Sequence, residues 1–198
     1  LPEATQRTLE FAACIGNQFD LETLATITER AKTEIVYDVW KALQEGLIVQ
    51  LDDSYSHVEI IDSHLPTTDL SESCPEGSRE EDRRIPVITG NPHFKFLHTR
   101  VRQAAYALMA EDHKHMAHVK IGRVILDRTP KHELEEKIFE IVNHFNLGKD
   151  LITSQSEKDK LAEINLIAGK KAKASAAYQP AYEYLKNGIV LLGKESWQ

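Results

Sequence analysis

Cysteine is nearly missing from this 198-residue chain: Cys14 and Cys74 are its only two, far apart and in no CxxC arrangement. That excludes a disulfide framework and a cysteine zinc site, and it points to a reducing cytoplasm as the compartment. Long apolar runs are missing as well. None approaches the ~18–20 residues a membrane span needs, so no membrane partner is expected. No basic–apolar signal segment opens the chain, which starts Leu1-Pro2-Glu3 without an initiator methionine. Such a start reads as a cut from inside a longer polypeptide. A basic surplus is also absent, with 24 Lys and Arg against 31 Asp and Glu and a net charge of −7. Proteins that displace counterions from phosphate backbones usually carry that surplus, so nucleic acid is not an expected partner.

Catalytic patterns are missing too. No Ser-His-Asp order, GxSxG elbow or paired-carboxylate constellation stands out. Gly188-Ile-Val-Leu-Leu-Gly193-Lys194 matches GxxxxGK, but Glu195 stands where a P-loop needs Ser or Thr for magnesium. A P-loop also needs a strand before it and a helix after, whereas this stretch closes a helix. His113, His115 and His118 are the densest histidine cluster. On a helix only 115 and 118 share a face, so the three do not converge on one metal and read as a solvated surface. His144 reads as an inter-helix hydrogen-bonding residue. Acidic pairs such as Glu80-Glu81 and Glu135-Glu136 read as solvated. The fragment is therefore expected to be no enzyme, with no catalytic residue, metal or cofactor of its own.

Four of the seven prolines, Pro66, Pro75, Pro86 and Pro92, crowd into one polar stretch with little to bury. Such a stretch cannot offset its ordering entropy, so a disordered insertion is expected over about 63–91. Three short helical patterns precede it. Leu9, Ala12 and Ala13 mark the first, with Pro2 at its start and Gly16 at its stop. Leu21, Leu24, Ala25 and Ile27 mark the second, capped by Asp20. Ile35, Val36, Val39, Trp40 and Leu43 mark the third, capped by Thr33 and ended by Gly46. Leu47-Ile-Val-Gln-Leu51 is too short for an independent helix and wants a strand partner, which His93-Phe-Lys-Phe-Leu-His98 can supply antiparallel. Three helices and a two-stranded ribbon describe a winged-helix domain over 1–98. Winged helices often lay the third helix in the DNA major groove. The stretch from Thr33 to Glu45 carries three acids and one lysine, which weighs against phosphate contact.

Residues 99–198 read as helix throughout. The first stripe is Val101, Ala104, Ala105 and Leu108, and a second helix starts near Glu111. Thr129-Pro130 reads as the cap and first residue of a third, which carries Leu134, Ile138, Ile141, Val142 and Phe145 and ends at Gly148. Two further helices, 161–177 and 181–192, join across Tyr178-Gln179-Pro180. Ala168, Gly169, Ala172 and Gly188 permit a close approach that aromatics such as Tyr182 and Tyr184 fill. A pair of about 34 residues with this alternation is of tetratricopeptide type. The fold class is thus mainly α, a winged helix followed by tetratricopeptide-like antiparallel helix pairs, in an array expected to continue past Gln198.

Several stretches carry a family resemblance: Leu1-Pro2-Glu3-Ala4-Thr5-Gln6, Ala12-Ala-Cys-Ile-Gly-Asn-Gln-Phe-Asp20 and Trp40-Lys-Ala-Leu-Gln-Glu-Gly-Leu47. Phe96-Leu-His-Thr-Arg-Val-Arg-Gln-Ala-Ala-Tyr106, Phe139-Glu-Ile-Val-Asn-His144 and Leu166-Ile-Ala-Gly-Lys-Lys-Ala-Lys-Ala-Ser175 add to it. Together they resemble the region after the ATPase core in very large bacterial hybrid serine/threonine kinase and multi-sensor histidine kinase proteins. That architecture runs from a STAND-type AAA ATPase module through a winged helix and helical repeats to GAF and histidine-kinase domains. The resemblance implies a regulatory fragment whose partners are the missing upstream ATPase core, other domains of the same chain, and proteins that bind the helical repeats. ATP or ADP would belong to the parent ATPase module. It also implies that His98, at the end of the wing, contacts the phosphate of nucleotide bound in that core. The family pattern has Asp after this histidine, whereas this chain has Thr99. As a strand-end residue, His98 reads equally as a cap on the next helix. The alternative from another class is a winged-helix transcription regulator with a helical effector domain.

Overall fold

The computed structural model describes residues 1–51, 58–62, 84–88 and 90–192. They are mainly α-helical and fall into two compact units, Leu1–Tyr106 and Ala107–Gln198. The division lies inside a helix, past the expected one after residue 98.

In the first unit Pro2 precedes α1 (Glu3–Ile15) and Gly16 ends it, with a φ of +155° that a side chain would strain. α2 (Leu21–Thr28) starts as its sequence suggests, because the Asp20 carboxylate accepts from the Thr23 amide at 2.8 Å and its hydroxyl at 2.6 Å. α3 (Lys32–Gln44) differs from expectation. Ala31 stands at its N-cap and no side chain caps it, while Thr33 lies within the first turn. Gly46, at a φ of +65°, turns the chain out of α3.

The expected pairing of β2 (Ile48–Gln50) with β5 (His93–Phe96) is present and antiparallel, Ile48 opposite Phe96. A third strand that the sequence pattern does not announce, β1 (Gln18–Asp20), pairs antiparallel with the other edge of β5. The sheet order is β1-β5-β2. Phe19 of β1 is buried against Phe94 and Phe96, ring centroids 5.7 and 5.6 Å apart, and this contact holds three residues as a strand. Leu24, Ile27, Ile35, Val39 and Ile48 complete the core beneath the sheet.

The expectation of disorder over 63–91 needs correction at its far end. β4 (Arg84–Ile88) pairs antiparallel with β3 (Val58–Asp62), Ile60 opposite Pro86. Both segments are rich in β-branched residues, which outweighs one proline in a two-stranded ribbon. Asn91 is also fixed, because its amide donates to Asp20 Oδ1 at 3.0 Å and its oxygen accepts from the Glu22 amide at 2.8 Å. The expectation for 63–83 falls outside the described residues. α4 (Thr99–Leu108) follows β5.

The second unit comprises α5 (Glu111–Arg128), α6 (Leu134–Leu147), a single 3₁₀ turn at Lys149–Leu151, α7 (Gln155–Ala174) and α8 (Tyr178–Leu191). Thr129 belongs to the end of α5, where its hydroxyl donates back to the Ile125 carbonyl at 2.6 Å, so α6 starts at Leu134 rather than at Pro130. Tyr178, Gln179 and Pro180 form the first turn of α8 rather than a linker, since proline lacks only an amide that a first turn leaves unpaired. Ile138, Ile141, Val142 and Phe145 of α6 share one core with Leu161, Ile164 and Ala168 of α7. The small residues act as the sequence suggests. A Cβ on Gly169 would stand 2.7 Å from Leu185 Cγ, and one on Gly188 would stand 3.3 Å from the Ala162 carbonyl.

Candidate functional site

His98 lies between the last residue of β5 and the first turn of α4. Its carbonyl accepts from the Val101 amide at 3.0 Å, so its backbone starts the helix. The backbone around it is pinned: the Leu97 amide donates to the Leu47 carbonyl and the Phe96 amide to the Asn17 carbonyl, both at 3.0 Å. The His98 side chain is exposed and bonds to none of the described residues. Leu97, Thr99 and Arg100 beside it are exposed, and Arg102 is half-buried. The backbone cap is thus present, and the imidazole is exposed beside it. Arg100 and Arg102 follow in the first turn of α4, two residues apart and so on different sides of the helix.

Asp38, one of the three acids counted against a DNA-reading surface, is buried rather than facing solvent. Its carboxylate accepts from the Thr8 hydroxyl at 2.7 Å, Arg30 Nη1 at 2.8 Å and the Thr5 hydroxyl at 3.2 Å. Position 38 sits within the apolar stripe of Ile35, Val39 and Ala42, a signal the sequence did contain. The outer side of α3 is left with Lys32, Glu34, Lys41 and Glu45, and Lys41 Nζ lies 5.6 Å from the Tyr37 ring centroid. That surface is electrically balanced rather than acidic.

The histidine cluster on α5 also needs correction. His118 is buried, and its Nδ1 lies 2.9 Å from Nδ1 of His144 on α6. The inter-helix hydrogen bond expected of His144 is thus made, and its partner is a histidine assigned to the surface. Two facing nitrogens need one donor and one acceptor, so when both rings are neutral they carry opposite tautomers. Burial lowers each pKa to about 4, with a smaller contribution from His115 at His118 and from His118 at His144. In the unfolded chain both rings titrate near 6.5, so the unfolded state binds more protons between pH 6.5 and 4. Stability is therefore complete above pH 6.5, falls as pH drops, and levels off below about 4. A lowering from 6.5 to about 4 corresponds to roughly 3 kcal/mol for one ring, so we expect the second unit to lose at least that much over the window. Urea denaturation at stepped pH checks this, and replacing both rings with leucine should flatten most of the slope.

Among the described residues, no three His, Cys, Asp or Glu side chains converge to hold a metal. Gly188 is buried inside α8, and the Gly193, Lys194 and Glu195 positions of the GxxxxGK match lie outside the described residues. Glu135 and Glu136 are exposed in the first turn of α6, while Cys74 and Glu80-Glu81 lie outside the described residues. No described helix is long and apolar enough to cross a membrane.

No family model matches this chain, and no solved structure matches it. Over 213 aligned positions covering the whole chain, it is 28% identical to the hybrid signal transduction histidine kinase G of Dictyostelium discoideum. It spans only 6% of that protein's length. The similarity relates the chain to a signal-transduction protein, and a eukaryotic one, so it gives no support to an exclusively bacterial family.

Proposed function

We propose that this chain is a non-catalytic regulatory module of a STAND-type signal-transduction ATPase. In this reading residues 1–98 form a winged helix that reads the nucleotide state of an ATPase core elsewhere in the same protein. Residues 99–198 form helix pairs of tetratricopeptide type that pass this state to protein partners. The observation that carries the reading is the interleaving of α1, β1, α2, α3, β2 and β5 with sheet order β1-β5-β2, an order that suits a winged helix. The glycine-mediated packing of α7 on α8 supports the repeat assignment. The relationship to a signalling histidine kinase supports the setting.

ATP and ADP belong to the core, and His98 is the residue that faces their phosphate. An imidazole on a fixed strand end, with Arg100 and Arg102 following, can exchange a solvent contact for a phosphate contact and so bias a domain rotation. Thr99 replaces the carboxylate that would otherwise orient the ring, so His98 acts as a donor without a fixed tautomer. The balanced outer side of α3 gives a DNA-reading alternative little electrostatic support. In a longer protein that carries the ATPase core, we expect His98→Ala to speed ADP release roughly tenfold, measured by stopped flow with a fluorescent ADP analogue. Unchanged release would remove His98 from the proposal.

A further inference from the structure

One face of the α7–α8 pair has no described element packed on it. A groove of about 460 Å³ runs along it, lined by Ala162 and Leu166 of α7 and by Leu185, Gly188 and Ile189 of α8. Leu166 is 45% exposed and Ile189 56% exposed, so each helix presents apolar surface to the groove. Both walls repeat at i, i+3, i+4 and i+7, so the groove is shaped for another helix.

Charge along the same face narrows the occupant. On α7 the positions at this spacing read Asp159, Glu163, Leu166, Lys170 and Lys173, all exposed. The stripe is acidic at one end, apolar in the middle and basic at the other. Glu163, Lys170 and Lys173 make no ion pair among the described residues. α8 runs antiparallel to α7, since Gly188 packs on Ala162 while Leu185 packs on Gly169. The acidic end therefore lies beside Ile189, and the basic end beside exposed Tyr178 and Tyr182. Turned by a half-rotation about Leu166, this pattern complements itself, acid onto base at both ends and apolar onto apolar at the centre. A two-fold axis requires such self-complementarity, and aromatic residues are enriched where two proteins meet.

We infer that the α7–α8 face docks against the same face of a second copy of this chain, with the two α7 helices antiparallel and Leu166 near the axis. The inference rests on this face alone and stands apart from the nucleotide reading. Sedimentation velocity on the 198-residue chain, from low-micromolar to submillimolar concentration, tests it. The native chain should pass from monomer to dimer. Glu163→Lys and Lys170→Glu each place like charges opposite one another, and each should raise the dimer dissociation constant at least roughly tenfold. Mixing the two variants in equal amounts should restore dimers, because the introduced base of one copy then meets the introduced acid of the other. Both sites are exposed, so unchanged far-ultraviolet circular dichroism is expected of each variant. A native chain that stays monomeric throughout, single variants that dimerise like the native chain, or a mixture that stays monomeric would each overturn the inference. The first outcome would leave the groove to another helix, either the next one of a continuing array or one from a different protein.

Discussion

Replacing Asp38 with alanine should unfold the first unit under conditions in which the native chain is stable. The carboxylate is 3% exposed and accepts three hydrogen bonds, two from threonine hydroxyls of α1 and one from the Arg30 guanidinium beyond α2. Deleting it leaves the partly exposed Arg30 guanidinium with Glu34 as its remaining carboxylate partner and takes the acceptor from two buried threonine hydroxyls. Leaving a buried polar group unsatisfied costs about 1–3 kcal/mol, and two hydroxyls plus half of the Arg30 pairing are lost together, which is a large share of a small unit's stability. Arg30 also donates to Thr8 at 2.9 Å and to Glu34 at 3.0 Å, so the network ties α1, the end of α2 and α3 together. Asp38→Asn keeps one acceptor oxygen and should cost less than the alanine change. Hydrogen exchange resolved by segment checks this: protection should vanish in α1–α3 and persist in α5–α8. Equal loss in both units, or no loss in the first, would contradict this role.

Gly148→Ala should produce the second large effect, confined to the other unit. A Cβ at position 148 would stand 2.5 Å from the His115 carbonyl oxygen and 2.5 Å from Val119 Cγ2. One of these neighbours is backbone within α5, so neither rotamer change nor side-chain flexibility relieves the clash. The φ at Gly148 is −119°, which alanine adopts freely, so the whole effect is steric. Forcing this extra methyl should cost about 2–3 kcal/mol and open the α5–α6 contact next to the His118–His144 bond. Gly46→Ala is the matching control. Nothing lies within 4 Å of its Cβ, but its φ of +65° makes the cost conformational, about 1 kcal/mol. Urea midpoints for the two variants separate these mechanisms.

Much of this architecture was legible because it rests on local signals. Asp20 and Gly16 mark their helix ends through hydrogen bonding and backbone freedom that need no distant partner. The β2–β5 pairing was legible because each strand is apolar enough to require the other. What escaped the sequence depends on contacts made across the chain. Gln18–Asp20 carries no strand periodicity and becomes β1 only because β5 offers an edge and Phe19 a buried aromatic contact. Thr129 and Pro130 have the chemistry of a helix start, yet the hydroxyl is taken by the Ile125 carbonyl behind it. Asp38 and His118 read as surface residues by residue type alone. Each lies on a buried stripe and is kept there by a partner far along the chain, Thr8 or His144. For His98 the sequence pattern runs the strand through the residue, whereas β5 ends at Phe96 and His98 precedes α4. Its proposed nucleotide is not a property of this chain, so no pattern within 198 residues could supply it.

The claim that nucleotide is read here but held elsewhere can be measured by isothermal titration calorimetry with ADP and ATP. The experiment compares the 198-residue chain with a longer chain that includes the proposed upstream ATPase core. The longer chain should bind at micromolar concentration, while the 198-residue chain should take up neither nucleotide over the same range. Micromolar binding by the 198 residues alone would contradict the account, because the module would then hold its own ligand.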